Sequence, residues 1–61
     1  MYFHARTDML NRTVEIDIDA NDPNNGDVGI VIAVSDDPPR VKVRFADATM
    51  RWFSDGQVYF S

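Results

Sequence analysis

Gly26-Asp-Val-Gly-Ile-Val-Ile-Ala-Val34 runs into Ser35-Asp-Asp-Pro-Pro39, then Arg40-Val-Lys-Val-Arg-Phe45, and after four residues Met50-Arg-Trp-Phe53. Residues 28–34 are continuously apolar with Gly29 inside, the sign of a bent or bulged strand where backbones cross closely. Asp36-Asp37-Pro38-Pro39 ends that strand, because proline cannot donate to a ladder. Val41, Val43 and Phe45 then alternate with Arg40, Lys42 and Arg44, placing three apolar side chains inward and three cations outward. A loop at residues 46–49 leads to a strand predicted to turn Met50 and Trp52 inward and Arg51 and Phe53 outward. Ser54-Asp-Gly-Gln57 reads as a tight, 3₁₀-like turn before a last strand, 58–60.

Upstream, Val14, Ile16 and Ile18 share one face of a half-buried strand and Glu15, Asp17 and Asp19 the other. Asn21-Asp-Pro-Asn-Asn-Gly26 is a loop by its turn chemistry, proline presetting φ and Asn-Gly accepting positive φ. Five short strands at this spacing predict an all-β fold, a small five-stranded barrel over residues 13–61. Residues 1–12 show no period and are expected to be an N-terminal arm, with Tyr2, Phe3, Met9 and Leu10 as anchors, or to add an edge strand at residues 1–5.

The chain resembles SH3-like barrels of the KOW, Tudor and Mib type over about residues 13–60. Val14-Glu-Ile16 and Gly26-Asp-Val-Gly29-Ile-Val31-Ile-Ala-Val34 stand where KOW-type segments carry Val-x-Val and Gly-x-x-Gly-x-Val-x-x-Val. The Val41, Val43, Phe45 strand and the aromatic strand after it are similar to Mib-type and photosystem I reaction-centre barrels. Such families open with Gly-Asp where this chain has Asn11-Arg12, and their hairpins turn on Asp-Gly where it has Ala46-Asp47-Ala48. The resemblance implies a fold and a binding role, since these barrels take RNA, DNA, proteins or modified peptides.

With 61 residues the chain makes one domain, with a core contributing only about 3–5 kcal/mol. It has no cysteine, so neither a disulfide nor a thiolate zinc site is expected. No apolar run approaches the ~18 residues of a membrane span, and no secretory leader is visible, so a cytoplasmic setting is expected. The Asn11-Arg12-Thr13 sequon is read as chance on that basis.

The net charge of −4 is unevenly spread. Eight of the ten acids precede Pro38, and four of the six bases follow it. The overall field repels phosphate backbones at long range, yet the second half is basic. Arg40, Lys42, Arg44 and Arg51, helped by Phe53, form the first candidate contact face. Arginine forks suit carboxylates and phosphates, and like charges facing each other on a sheet need a counter-charge. Either Glu15, Asp17 or Asp19 supplies it internally, or an anionic partner does.

The second candidate surface is acidic: Glu15, Asp17, Asp19, Asp22 and Asp27. Asp17-Ile-Asp19-Ala-Asn21 matches the start of an EF-hand loop, but Asp22 stands at the glycine position and Val28 at the closing glutamate. A solvated edge that resists edge-to-edge pairing fits better, or a mimic of a nucleic-acid backbone. His4 is the only histidine, and no nucleophile–base pair accompanies it. Neither a catalytic centre, a metal nor a cofactor is expected. Trp52 is expected to plug one end of the core.

These observations predict a non-enzymatic module that binds another protein, in the manner of small acidic bacteriophage accessory proteins acting on a host enzyme. A KOW-like nucleic-acid binder using the same basic face is the alternative. A structural subunit of a larger assembly is the third reading.

Overall fold

The computed structural model describes residues 8–60. The anchors Tyr2 and Phe3, the edge strand expected at residues 1–5, and His4 lie outside the described residues. Five antiparallel strands follow one another: β1 (Thr13–Ile16), β2 (Val28–Asp36), β3 (Pro39–Phe45), β4 (Met50–Ser54) and β5 (Val58–Phe60). They form one sheet in the order β4-β3-β2-β1-β5, so β4 and β5 are its two edges and the sheet is not closed into a barrel. No helix of the described residues is long and apolar enough to cross a membrane.

The alternation in β1 and β3 does what its period dictates. Val14, Ile16, Val41, Val43 and Phe45 are buried, joined by Val31 from β2, Phe53 from β4 and Val58 from β5. Phe45 and Phe53 meet edge to face, with ring centroids 6.2 Å apart, a favoured aromatic geometry. Met9, Ile18, Val34 and Phe60 pack around this cluster. Among the described residues no charged or polar side chain is buried, so the core carries no desolvation penalty to offset.

β2 bends, though not at Gly29. The register against β3 shifts between Val31 and Ala33, leaving Ile32 as the extra residue of a bulge, which strengthens local twist and lets one long strand serve both halves of the sheet. Gly29 has another role. A Cβ there would collide with Val43 Cγ1 and lie 2.8 Å from the Arg44 carbonyl oxygen. No side chain fits at this position between β2 and β3 without displacing Val43 or the Arg44 carbonyl.

β2 and β3 are joined by the two residues Asp37 and Pro38, whose peptide bond is cis. Ahead of β1, Asn11 donates its amide to the Val31 carbonyl at 2.8 Å and Arg12 accepts from the Val31 amide at 3.0 Å. The end of the predicted arm is thus stitched to β2. Asn11 sits at φ 66°, a left-handed conformation that asparagine tolerates better than most residues. After β4, a 3₁₀ turn over Asp55–Gln57 is fastened by Gln57 Oε1, which accepts from the Ser54 amide at 2.9 Å.

The expected phase of β4 is corrected. Phe53 is buried, whereas Met50 and Trp52 are exposed at 52% and 41%. The loop is one residue shorter than expected. Phe45 donates its amide to the Thr49 carbonyl, Ala48 donates to the Phe45 carbonyl, and Ala48 takes φ 73°. This is a three-residue hairpin loop with its last residue left-handed. Thr49 therefore pairs with Phe45, and Arg44 pairs with Met50. A slip of one residue sends every side chain of a strand to the other face.

Candidate functional site

On the outer face, away from the core, the registers line up three rows across the sheet. Ile30, Arg44 and Met50 form the first, Ala33, Lys42 and Trp52 the second, and Ser35, Arg40 and Ser54 the third. Three of the predicted contact residues, Arg40, Lys42 and Arg44, are thus brought together as expected. They are interleaved with Ile30 and with Met50 and Trp52, the two side chains of β4 expected to turn inward. Ile30 is exposed at 40%, and Val28 and Ile32 are exposed beside it.

Trp52 is the centre of this face. The Arg40 guanidinium carbon lies 5.6 Å from its ring centroid and Lys42 Nζ lies 6.0 Å away, within reach of cation–π attraction. Arg44 has no ion-pair partner among the described residues. Beside Arg44, Val28, Ile30 and Ala46 border an open hollow of about 230 Å³. A second hollow of about 240 Å³ adjoins it and is rimmed by Asn24, Asp27, Asp47 and Thr49.

Arg51 and Phe53 do not belong to this face. Phe53 is in the core, and Arg51 projects on the core side of β4, its guanidinium carbon 5.0 Å from the Phe53 ring centroid. From there Arg51 grips the 17–27 loop. Its Nη1 donates to Asp22 Oδ1 and Asn24 Oδ1, both at 2.9 Å, and Nη2 donates to Asp22 Oδ2 at 3.0 Å. The counter-charge expected from Glu15, Asp17 or Asp19 comes, for Arg51, from Asp22. Arg44 and Arg51 point to opposite faces, so these two like charges do not meet across the β3–β4 pair.

The acidic loop spends much of its polarity on itself. Asp19 Oδ1 accepts from the Asn21 amide at 3.0 Å, Asp22 Oδ1 from the Asn24 amide at 2.9 Å, and Asp27 Oδ2 from the Asn24 side chain at 3.1 Å. Asn25 Oδ1 accepts from the Ile18 amide, and Gly26 takes φ 83°, as the Asn-Gly pair predicts. Glu15 lies on β1 opposite Tyr59, away from the loop, and Asp17 follows at the end of that strand. Among the described residues no group of three or more His, Cys, Asp or Glu side chains is placed to hold a metal ion. Asp47 accepts from the Thr49 hydroxyl at 2.6 Å and from the Thr49 amide at 3.1 Å, which fixes the hairpin turn and holds its carboxyl below the usual range.

The Arg51 hydrogen bonds hold the Asp22 carboxyl below its ordinary range, with help from the Asn24 amide, against a smaller opposing effect of burial. A carboxylate stabilised in this way supports the fold above its unfolded pKa and loses that support as pH falls through its folded one. The thermal midpoint of the protein should therefore exceed that of Arg51→Met at neutral pH. The gap should close as pH drops below about 4, where an unfolded aspartate takes up its proton. A gap that stays constant down to strongly acidic pH would show that Asp22 is not the partner that matters.

Compared with protein families, with curated proteins and with solved structures, the chain shows no match.

Proposed function

We propose that this chain is a non-enzymatic binding module of the SH3-like type whose basic and apolar outer β2–β3–β4 face docks another protein, one whose own contact surface is acidic and partly apolar. The observation that carries this reading is the composition of that face. On a chain of net charge −4, Arg40, Lys42 and Arg44 stand among exposed Ile30, Met50 and Trp52. Exposed apolar clusters rimmed by charge mark contact surfaces, and Trp and Arg are the residues that most often dominate binding energy. The SH3-like reading is supported by the meander of short antiparallel strands, the bulge that bends β2 and the 3₁₀ turn before β5. The acids bordering the hollows are engaged in turns, which fits a scaffold better than a reactive centre.

A second reading, a KOW-like nucleic-acid binder, draws on Trp52, an exposed ring with two cations beside it, since aromatic platforms of this kind stack bases. The net acidity of the chain favours a protein partner.

One experiment separates them. The tagged chain is used to capture partners from a cell lysate with and without nuclease, beside the Lys42→Glu/Arg44→Glu double variant. Arg51 is left unchanged because it serves the fold through Asp22 and Asn24. A stoichiometric protein that survives nuclease and is lost by at least about tenfold in the folded double variant is the expected result, a change worth about 1.4 kcal/mol. Capture that vanishes with nuclease, and whose affinity falls linearly in log salt, would install the nucleic-acid reading. Capture unchanged in the double variant would remove this face from the binding site.

A further inference from the structure

Resting on that reading, we propose how the partner engages: an extended, acidic segment of it adds as a sixth strand to the outer edge of β4, which no strand of the described residues covers. The hydrogen-bond phase of the hairpin defines what this edge offers. Phe45 and Thr49 are a hydrogen-bonded pair, and in an antiparallel ladder such pairs alternate with non-bonded ones. Along the register, Arg51 and Phe53 turn their main-chain groups toward β3, while Met50, Trp52 and Ser54 turn theirs outward. The Ser54 amide confirms the phase, because it is taken by Gln57 Oε1. No loop or side-chain hydrogen bond among the described residues reaches the Met50 or Trp52 amides. Strand addition uses main-chain groups of this kind for affinity and alternate side chains for specificity.

Charge selects the occupant. Side chains of an added strand that face outward would lie beside Met50 and Trp52, two strands or roughly 10 Å from the Lys42 and Arg44 rows, a gap that glutamate and lysine or arginine side chains can bridge. Inward ones would lie beside Arg51. The Arg51 guanidinium is already held by Asp22 and Asn24, so the strand that fits carries acidic residues outward, toward Lys42 and Arg44, and apolar ones inward. A second copy of this chain pairing through the same edge would bring like-charged rows toward each other. The β5 edge is the poorer site for an acidic strand, because its neighbour β1 presents Glu15 opposite Tyr59, with Asp17 next along the chain.

The probe is the capped peptide acetyl-Glu-Val-Glu-Val-Glu-Val-Glu-amide, titrated into the isotope-labelled protein to millimolar concentration while amide exchange is followed residue by residue. The Met50 and Trp52 amides are expected to exchange at least about tenfold more slowly in the complex, as newly paired amides do, with Val58 and Phe60 unchanged. A peptide N-methylated on alternate residues should lose binding, and the Lys-for-Glu peptide should not bind. Binding mapped to Arg44 and Trp52 side chains without protection of the two amides would overturn strand addition and leave the docking face standing. Equal protection by the lysine peptide would overturn the charge argument. Protection already present in the free protein, with a dimeric mass, would assign the edge to a second copy. No perturbation at any residue would overturn the face and the edge together.

Discussion

Phe53→Ala is expected to leave the chain largely unfolded at room temperature, while Trp52→Ala leaves it folded. Phe53 is the largest fully buried side chain, exposed at 1%. It packs edge to face on Phe45 and lies under the Arg51 guanidinium. Truncating a buried phenylalanine costs about 3–5 kcal/mol, which equals the whole stability of about 3–5 kcal/mol that a core of this size supplies. Trp52, one position away, is 41% exposed, and its contacts with Arg40 and Lys42 are worth about 0.5–1 kcal/mol each at an exposed site. Circular dichroism of the two variants decides the matter. An unfolded Trp52→Ala beside a folded Phe53→Ala would mean that the β4 register is off by one residue and that the tryptophan fills the core.

That contrast also marks where reading the sequence stops working. In β1 and β3 alternation sets the phase directly: Val14 and Ile16, and Val41, Val43 and Phe45, face the core, with Arg40, Lys42 and Arg44 outside. The Asp37-Pro38 turn and the 3₁₀ turn at Asp55–Gln57 are written in their residue types. β4 is different, because Met50, Trp52 and Phe53 are all apolar enough for either face. Its phase depends on whether the hairpin loop has three residues or four. Three requires Ala48 at φ 73°, a conformation that alanine advertises to no reader, where glycine or asparagine would. The Asp47–Thr49 spacing was the available signal, since an aspartate accepting from the amide two residues on is a common turn device.

The site was legible only as far as the strands were. Arg40, Lys42 and Arg44 were placed correctly because they share β3's period. Arg51 and Phe53 were misassigned with β4, and Met50 and Trp52 were missed for the same reason. The Arg51–Asp22 pair joins residues 29 apart, and no local period encodes a contact between an edge strand and a distant loop. A bulge in β2 is expected from Gly29, but its position at Ile32 is hidden because residues 30–34 are all apolar and show no alternation to interrupt.

Gly29→Ala is expected to destabilise the protein by about 2–3 kcal/mol, the upper part of the range for inserting a methyl group into a packed core. The reason is space. The added Cβ would collide with Val43 Cγ1, lie 2.8 Å from the Arg44 carbonyl oxygen and 3.2 Å from Phe45 Cδ1. Val43 is wholly buried and the carbonyl belongs to the β2–β3 ladder, so neither neighbour moves cheaply. The midpoint of thermal unfolding should drop by roughly 10–20 °C, taking 4–8 °C per kcal/mol for a domain of this size. Gly56→Ala is the matched control: nothing lies within 4 Å of its added Cβ, and its φ is not in the left-handed region. A midpoint that moves no more for Gly29→Ala than for Gly56→Ala would show that β2 and β3 stand further apart than the register implies. The consequence for binding follows from the same geometry. Gly29 lies between Val28 and Ile30 and opposite Phe45, so pushing β2 from β3 there would separate Ile30 from Arg44. The face would lose its first row before it lost any charge.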